Sequence, residues 1–218
     1  MVKEDYKTRV KHIIEILEKE YPDARTALSF GSPLELLVAT VLSAQCTDER
    51  VNRVTENLFQ KYRSAKDYGE AELSELEEDI RPTGFFRNKA KAIKGLCTEL
   101  VNRFNGEVPA KLEDLVSLSG IGRKTANLIL GEAFEIPGIV VDTHVKRLAN
   151  LIGLTLKTDP EKIEFDLMEI VPKSQWILFS NLLILHGRGI CVARKPRHDQ
   201  CEIVNLCDEG IRWKEKQK

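Results

Sequence analysis

The chain has 218 residues, which is enough for one large domain or two small ones. Hydrophobic residues at 42% and charged residues at 31% describe a soluble globular protein with a heavily charged surface. The formal net charge of −1 excludes a globally basic protein, so any surface that binds nucleic acid must be a local basic patch.

The N-terminus, the apolar runs and the cysteines indicate the compartment. The first residues, MVKEDYKTRVKH, are charged and lack the apolar core of a secretory signal. The longest apolar run, Trp176 to Leu185, is interrupted by Ser180 and Asn181 and is too short to cross a bilayer. Five cysteines, three of them in the last thirty residues, fit a metal site better than a disulfide framework. We therefore expect an intracellular protein of the cytoplasm or nucleoid that has no membrane partner.

Helical periodicity, capping signals and breaks predict the secondary structure. In chain order, the predicted helices are residues 4 to about 20, Pro33 to about Gln45 behind a capping box at Ser32 to Glu35, Thr47 or Asp48 to about Tyr62, short acidic helices within 64 to 80, about Arg87 to Phe104, a helix that ends before Gly120, one from about Arg123, 143 to 152, 160 to 170, and about Ser174 to His186. The sequence has no strand-like alternation of useful length and no flexible linker. The predicted class is therefore all-α with short connections.

A glycine-containing hairpin between two of these helices is a candidate binding site. Its motif is L-x-x-L-x-G-I-G-x-K-T-A, from Leu115 to Ala126. Gly120 and Gly122 permit backbone angles and close approach that side chains would block, so the next helix could offer bare N–H groups to a phosphate. An ordinary packing corner between two helices also accounts for the glycines. Both interpretations stay open on the hairpin alone.

Two residues near helix N-termini are candidates for chemistry. Lys124 lies in the first turn after the hairpin, where the helix dipole and partial burial would favour a neutral amine able to form a Schiff base. A solvated surface lysine is the ordinary alternative. Asp142 is explained by N-capping of its helix, and a carboxylate held in that way could also stabilise positive charge or move a proton.

Four separated motifs resemble the endonuclease III family of helix-hairpin-helix-GPD DNA glycosylases: LSAQCTD at 42 to 48, LSGIGRKTAN at 118 to 127, VVDTHVKR at 140 to 147 and ILHGRGIC at 184 to 191. The resemblance runs over nearly the whole chain. It implies an all-α fold of two domains. Residues 26 to 136 would form a six-helix domain, and residues 1 to 25 with 137 to 218 a domain that holds an iron–sulfur cluster.

The resemblance implies a base-excision repair enzyme that flips an oxidised or ring-damaged pyrimidine out of double-stranded DNA. Lys124 would attack C1′, displace the base and form an imine that cleaves the abasic site by β-elimination, and Asp142 would aid base loss and lysine deprotonation. We expect a monomer whose partner is DNA with damaged bases or abasic sites. The alternatives are a monofunctional mismatch or uracil glycosylase, against which Lys124 argues, and a non-catalytic helix-hairpin-helix module that only binds DNA.

The resemblance also assigns residues that hold the duplex open. Gln45 would fill the gap left by the flipped base, and the loop Thr83-Gly84-Phe85 would be a second wedge. Without the resemblance, a helix-ending glutamine and a half-buried aromatic residue would be preferred. The carbonyl groups of Val116, Leu118 and Ile121 would hold a monovalent cation beside a DNA phosphate.

Further contacts would go to the DNA backbone. By the same resemblance, the hairpin residues Gly120, Gly122 and Arg123 would lie against phosphates. Arg194 and Lys195 belong to a basic segment near the C-terminus that could grip phosphates, although a charge run is usually only a solvated face.

The C-terminal cysteines depart from the family pattern at one position. The family holds a 4Fe–4S cluster with four cysteines separated by six, two and five residues, and here Cys191, His198, Cys201 and Cys207 keep that spacing. Histidine can ligate iron or zinc, so we expect a 4Fe–4S cluster with one unusual ligand. A zinc site is the competing interpretation, and an absent or labile cluster with His198 filling its space is a third.

Overall fold

The computed structural model describes residues 3 to 217, and within that range every regular element is helical, which confirms the predicted all-α class. In chain order, the α-helices are α1 Lys3–Glu20, α2 Pro33–Leu42, α3 Asp48–Lys61, α4 Ala65–Glu70, α5 Leu73–Asp79, α6 Phe86–Phe104, α7 Leu112–Val116, α8 Arg123–Phe134, α9 Thr143–Ile152, α10 Pro160–Ile170, α11 Trp176–Gly189 and α12 Asp208–Glu215. Short 3-10 turns lie at Arg81–Thr83, Lys173–Gln175, His198–Gln200 and Val204–Leu206.

The chain divides into two compact units. One is Thr26–Ile136, which contains α2 to α8. Its core surrounds α2, whose residues Leu36, Leu37 and Leu42 are fully buried, as the apolar sequence of that helix predicts. The α2 helix packs against α3, α6 and α8, so the loop that follows it is held by the centre of the unit.

The other unit combines the residues up to Arg25 with those from Pro137 onward and contains α1 and α9 to α12. The sequence leaves open whether the first helix packs with the C-terminal part, and the structure shows that it does. The α1 helix contacts α10 and α11, and its face at Val10, Ile13 and Leu17 is fully buried. The Arg9 guanidinium donates to the Asp208 carboxylate at 2.9 Å and fixes the start of α12.

Several local expectations are corrected by the structure. The Ser32 hydroxyl accepts from the Glu35 N–H at 3.2 Å, but the Glu35 carboxylate accepts from the Gly31 N–H instead of completing a capping box. The α2 helix ends at Leu42, well before Gln45, because the chain turns after Ser43. The sequence did not predict α12, since Gly210 is its one buried residue and leaves little apolar periodicity to detect. No helix in the described part of the chain is long and apolar enough to span a membrane.

Candidate functional site

The hairpin forms between α7 and α8 as predicted, with one correction to the role of its glycines. Gly120 has φ of 82°, a conformation that favours glycine, and the Ile121 N–H donates to the Leu118 carbonyl at 3.1 Å to close the turn. Gly122, the N-cap of α8, has φ of −86° and needs no special conformation. It provides no side-chain cap for α8, so what it contributes is an unobstructed helix start.

Two side chains of α6 fix the hairpin from behind. The Arg103 guanidinium donates to the Ser117 carbonyl at 3.2 Å and to the Ser117 hydroxyl at 2.6 Å. A hydrogen bond from Ser119 lowers the pKa of the Glu99 carboxyl, which keeps this partner ionised. Side chains of α6 therefore hold the turn that precedes α8 at Ser117 and Ser119, in addition to the hydrogen bond within its own backbone.

Lys124 is the second residue of α8, immediately after the hairpin. Its side chain is exposed, so the expectation of partial burial is wrong. Exposure leaves the amine accessible to a macromolecular substrate.

Asp142 is the N-cap of α9, which confirms that prediction. One carboxylate oxygen accepts from the Val145 N–H at 2.8 Å, and the Asp142 carbonyl accepts from the Lys146 N–H at 2.9 Å. The side chain is partly exposed. A carboxylate fixed in this way has a defined direction without being buried.

The predicted wedge residues project from the surface of their unit. Gln45 is exposed with φ of 53°, and Phe85 is 62% exposed with φ of 49°, so the alternative of a half-buried aromatic residue is wrong. Gly84, which lies between Thr83 and Phe85, has φ of 70°. Thr83 differs from its neighbours because it is buried and its hydroxyl donates to the Ile80 carbonyl at 2.8 Å. Its side chain therefore anchors the loop instead of facing outward.

Sequence reasoning did not single out Lys89, which is one of several basic residues in the first half of α6. The side chain is 6% exposed, and its ammonium donates to the carbonyl groups of Leu42 and Thr83, both at 2.8 Å. A signal was present in the sequence. Lys89 precedes the buried Ile93 by four residues and so lies on the inward face of the helix.

The four candidate metal ligands line one cavity of about 240 Å³ in the unit that contains the C-terminus: Cys191, His198, Cys201 and Cys207. A water molecule needs only roughly 10 to 15 Å³ on this kind of measure, so the space suits a group of several atoms. No group of three or more His, Cys, Asp or Glu side chains among the described residues is arranged to hold a single metal ion.

One buried atom in this cavity has no partner. The Nδ1 atom of His198 is buried without a hydrogen bond, and the ring lies 5.2 Å from the Trp213 ring, centroid to centroid. A buried ring nitrogen is normally satisfied, so this unpartnered atom is compatible with a ligand. The cavity that the three thiols and this ring line fits a group of several atoms such as an iron–sulfur cluster.

Two further side chains contact the cysteines of this cavity. Arg147 donates to the Cys191 carbonyl at 2.6 Å and lies 3.7 Å from its sulfur atom, while His186 Nε2 lies 3.5 Å from the Cys201 sulfur atom. Burial, together with the nearby Arg147 charge, lowers the pKa of His186 to about 4, so that ring is neutral. Burial also raises the pKa of Cys201 to about 11, which means that a bound cation is needed to hold this sulfur as a thiolate.

The segment between Cys191 and His198 carries basic residues on its outer surface. Arg194 and Lys195 are both exposed in the segment between Cys191 and His198.

The comparisons with known proteins agree with these features. The family described as "HhH-GPD superfamily base excision DNA repair protein" matches residues 38 to 173. Endonuclease III of Synechocystis sp. is 52% identical over 202 residues, which cover 92% of each chain. A solved non-covalent endonuclease III–DNA complex is 43% identical with a TM-score of 0.89, and covers 97% of this chain and 99% of that one. A trapped covalent endonuclease III–DNA intermediate is 42% identical with a TM-score of 0.88 and the same coverage.

Proposed function

Because the chain belongs to the HhH-GPD superfamily of base excision DNA repair proteins, and within it to the endonuclease III family, we propose that it acts on damaged pyrimidines in double-stranded DNA. It is a DNA glycosylase and abasic-site lyase. The proposed lesions are oxidised or ring-damaged pyrimidines. The observation that carries the proposal is the exposed Lys124 amine at the start of α8, in a chain 42% identical to a protein trapped covalently on DNA.

Lys124 is the proposed nucleophile. Its neutral amine attacks C1′ of the flipped nucleotide, the N-glycosidic bond breaks, and the base leaves with the bonding electrons and takes up a proton. The nitrogen loses one proton, the sugar ring opens at the C1′–O4′ bond as O4′ takes up a proton, and a protonated imine results. Removal of a C2′ proton then expels the 3′ phosphate.

Asp142 is the proposed partner in base loss. Its carboxylate, which the cap bond to the Val145 N–H holds in place, would accept the lysine proton or stabilise positive charge on the sugar. Because one oxygen is fixed by the helix, the carboxylate needs little reorganisation when that charge develops. The same bond makes this residue part of the fold, so the two roles must be separated by mutation.

The surface residues supply the proposed hold on DNA. The exposed side chains of Gln45 and Phe85 would fill the gap left by the flipped base. Gly84 directly precedes Phe85 in the same loop. The hairpin at Gly120, Gly122 and Arg123 would bind the backbone, with a monovalent cation on the Val116, Leu118 and Ile121 carbonyls. Damaged double-stranded DNA is thus the proposed partner of a monomeric, intracellular enzyme.

The endonuclease III family carries a 4Fe–4S cluster. In this chain Cys191, Cys201, Cys207 and the orphaned ring nitrogen of His198 would hold it. The cavity volume favours a cluster over a single zinc ion. When bound, the group would be structural and would stiffen the loop that carries Arg194 and Lys195, so that these cations meet DNA phosphates in a fixed arrangement.

Borohydride trapping on defined duplexes tests the activity. A duplex with one thymine glycol is incubated with the protein, with and without sodium borohydride, beside a duplex with an abasic site and an undamaged duplex. We expect strand nicking without borohydride and a covalent protein–DNA complex with it, on both damaged duplexes only. Base release without trapping would instead indicate a monofunctional glycosylase. Binding with neither reaction would indicate a non-catalytic module.

A further inference from the structure

Two surface loops of the Thr26–Ile136 unit each hold a residue in the left-handed backbone region. Gln45 lies in the loop after α2, with φ of 53°, and Phe85 lies directly before α6, with φ of 49°. The other non-glycine residues with positive φ in the described part of the chain are Asn105 and Glu135. Both of these end helices, where the conformation is common. The Gln45 and Phe85 conformations need another explanation.

A single buried ammonium group connects the bases of both loops. Lys89 donates from Nζ to the carbonyl groups of Leu42 and Thr83, both at 2.8 Å. Leu42 ends α2 shortly before Gln45, and Thr83 precedes the Phe85 turn. The backbone N–H of Lys89 also donates to the Phe85 carbonyl at 3.1 Å. Lys89 therefore contacts the backbone shortly before Gln45 in one loop, and at Thr83 and Phe85 in the other.

Stability alone accounts poorly for a lysine at this position. An ammonium group loses its hydration on burial, and burial lowers the pKa of Lys89. Two neutral carbonyl groups offset only part of that cost. What the ammonium adds is a fixed separation between two carbonyl groups that belong to different elements.

We propose that Lys89 is a positioning residue that holds Gln45 and Phe85 in one arrangement for entry into the DNA duplex. This inference rests on the proposed function, in which both side chains fill the gap left by the flipped base. Lys89 acts through the backbone of the two loops and does not touch the reacting atoms. Without this cross-link the loops sample more conformations, so nucleotide flipping slows while imine chemistry is kept.

The test compares Lys89→Met with Lys94→Met in the full chain. Lys94 also lies on α6, and its Nζ donates to the Ala71 carbonyl at 2.5 Å. This control removes a lysine–carbonyl bond from the same helix without touching either loop. Cleavage of an abasic site is measured under single-turnover conditions in a duplex and in the same strand alone. Only the duplex requires a nucleotide to leave a base stack and a gap to be filled.

We expect Lys89→Met to cleave the duplex about tenfold to a hundredfold more slowly than the wild type, since small misplacements have effects of that size. Cleavage of the single strand should stay at the wild-type rate, and Lys94→Met should match the wild type on both substrates. Equal losses on the two substrates, or no loss on the duplex, overturn the inference.

A double-mutant cycle gives a readout that a purely structural role would not produce. In a background of Gln45→Ala with Phe85→Ala, adding Lys89→Met should slow the duplex reaction no further, because the residues it positions are gone. If Lys89→Met does not fold, Lys89→Arg is compared in the same way. Arginine keeps the charge, but its guanidinium is larger and planar, so it should change the separation of the two carbonyl groups. A wild-type duplex rate in that variant contradicts the inference.

The outcome for the wild type separates this inference from the proposed function. If the wild-type protein cleaves neither substrate, the proposed lyase activity fails and the positioning role of Lys89 fails with it. If the wild type cleaves both and Lys89→Met cleaves the duplex at the wild-type rate, only the positioning role fails.

Discussion

The carboxylate of Asp142 accepts a hydrogen bond from the backbone N–H of Val145 at 2.8 Å, so the proposed catalytic carboxylate is also the N-cap of α9. The bond uses one of the two carboxylate oxygen atoms. Asparagine caps helices about as well as aspartate but carries no negative charge. The two roles of this residue can therefore be separated by a single substitution.

We expect Asp142→Asn to fold normally and to release a damaged base at least tenfold more slowly, because a positioned charge contributes roughly 10²-fold in comparable sites. Single-turnover release from a thymine glycol duplex and a thermal melt measure the two effects. Asp142→Ala is the control that removes the cap as well and should cost about 1 kcal/mol of stability. An Asp142→Asn protein that unfolds, or that keeps the wild-type rate, would contradict the catalytic role.

For Lys124→Gln we expect the borohydride-trapped complex to disappear while binding to an abasic duplex persists. Glutamine keeps most of the side-chain length at this exposed position but has no amine to form an imine. Lys66→Gln is the matched control, since Lys66 is an exposed lysine paired with Glu70 on the surface of the same unit. Trapping is read on denaturing gels and binding by fluorescence anisotropy. Retained nicking in Lys124→Gln would rule out this lysine as the nucleophile.

Much of the fold follows from local chemistry that a sequence displays directly. Helix starts at Pro33 and Pro160 and the left-handed cap at Asn105 depend on residues next to each other, so the boundaries there lie close to those predicted. The cap at Asp142 belongs to the same class. Each of these features is decided within a single turn of chain, which is the range over which residue type alone is informative.

Other features depend on partners distant in sequence. In the sequence, Lys89 is one of several basic residues of α6. Only the structure shows that its ammonium group donates to the carbonyl groups of Leu42 and Thr83. Phe85 reads as a half-buried aromatic residue until the left-handed turn directs it outward. Tertiary contacts override the ordinary behaviour of the residue type at Lys89, and a left-handed backbone does so at Phe85. Such conflicts concentrate at functional sites.

The basic segment between Cys191 and His198 gives a prediction about the contribution of one positive charge to DNA binding. Arg194→Gln should weaken binding to undamaged and damaged duplexes by the same factor and reduce the salt dependence of binding by about one phosphate contact. Fluorescence anisotropy between low and physiological salt measures both. Lys66→Gln serves again as a control, because it removes one exposed cation elsewhere. An unchanged salt slope in Arg194→Gln would show that this side chain is only solvated.

His198 is the residue at which this chain leaves its family pattern, and metal analysis decides what it does. We expect about four iron atoms per chain in anaerobically purified protein and a reduced iron content in His198→Ala, whose methyl group cannot bind iron. His198→Cys restores the cysteine of the family and should keep the iron. His12→Ala is the control, because that histidine lies exposed on α1.

The iron content should change together with thermal stability, since the ligands fold the segment between α11 and α12. A loss of about 2 kcal/mol in His198→Ala would lower Tm by roughly 4 to 8 °C in a chain of this size. One zinc ion per wild-type chain would contradict the cluster outright. Full iron content and an unchanged Tm in His198→Ala would show that the buried ring fills space beside a cluster held by the three cysteines, and its unpartnered Nδ1 atom would then require another explanation.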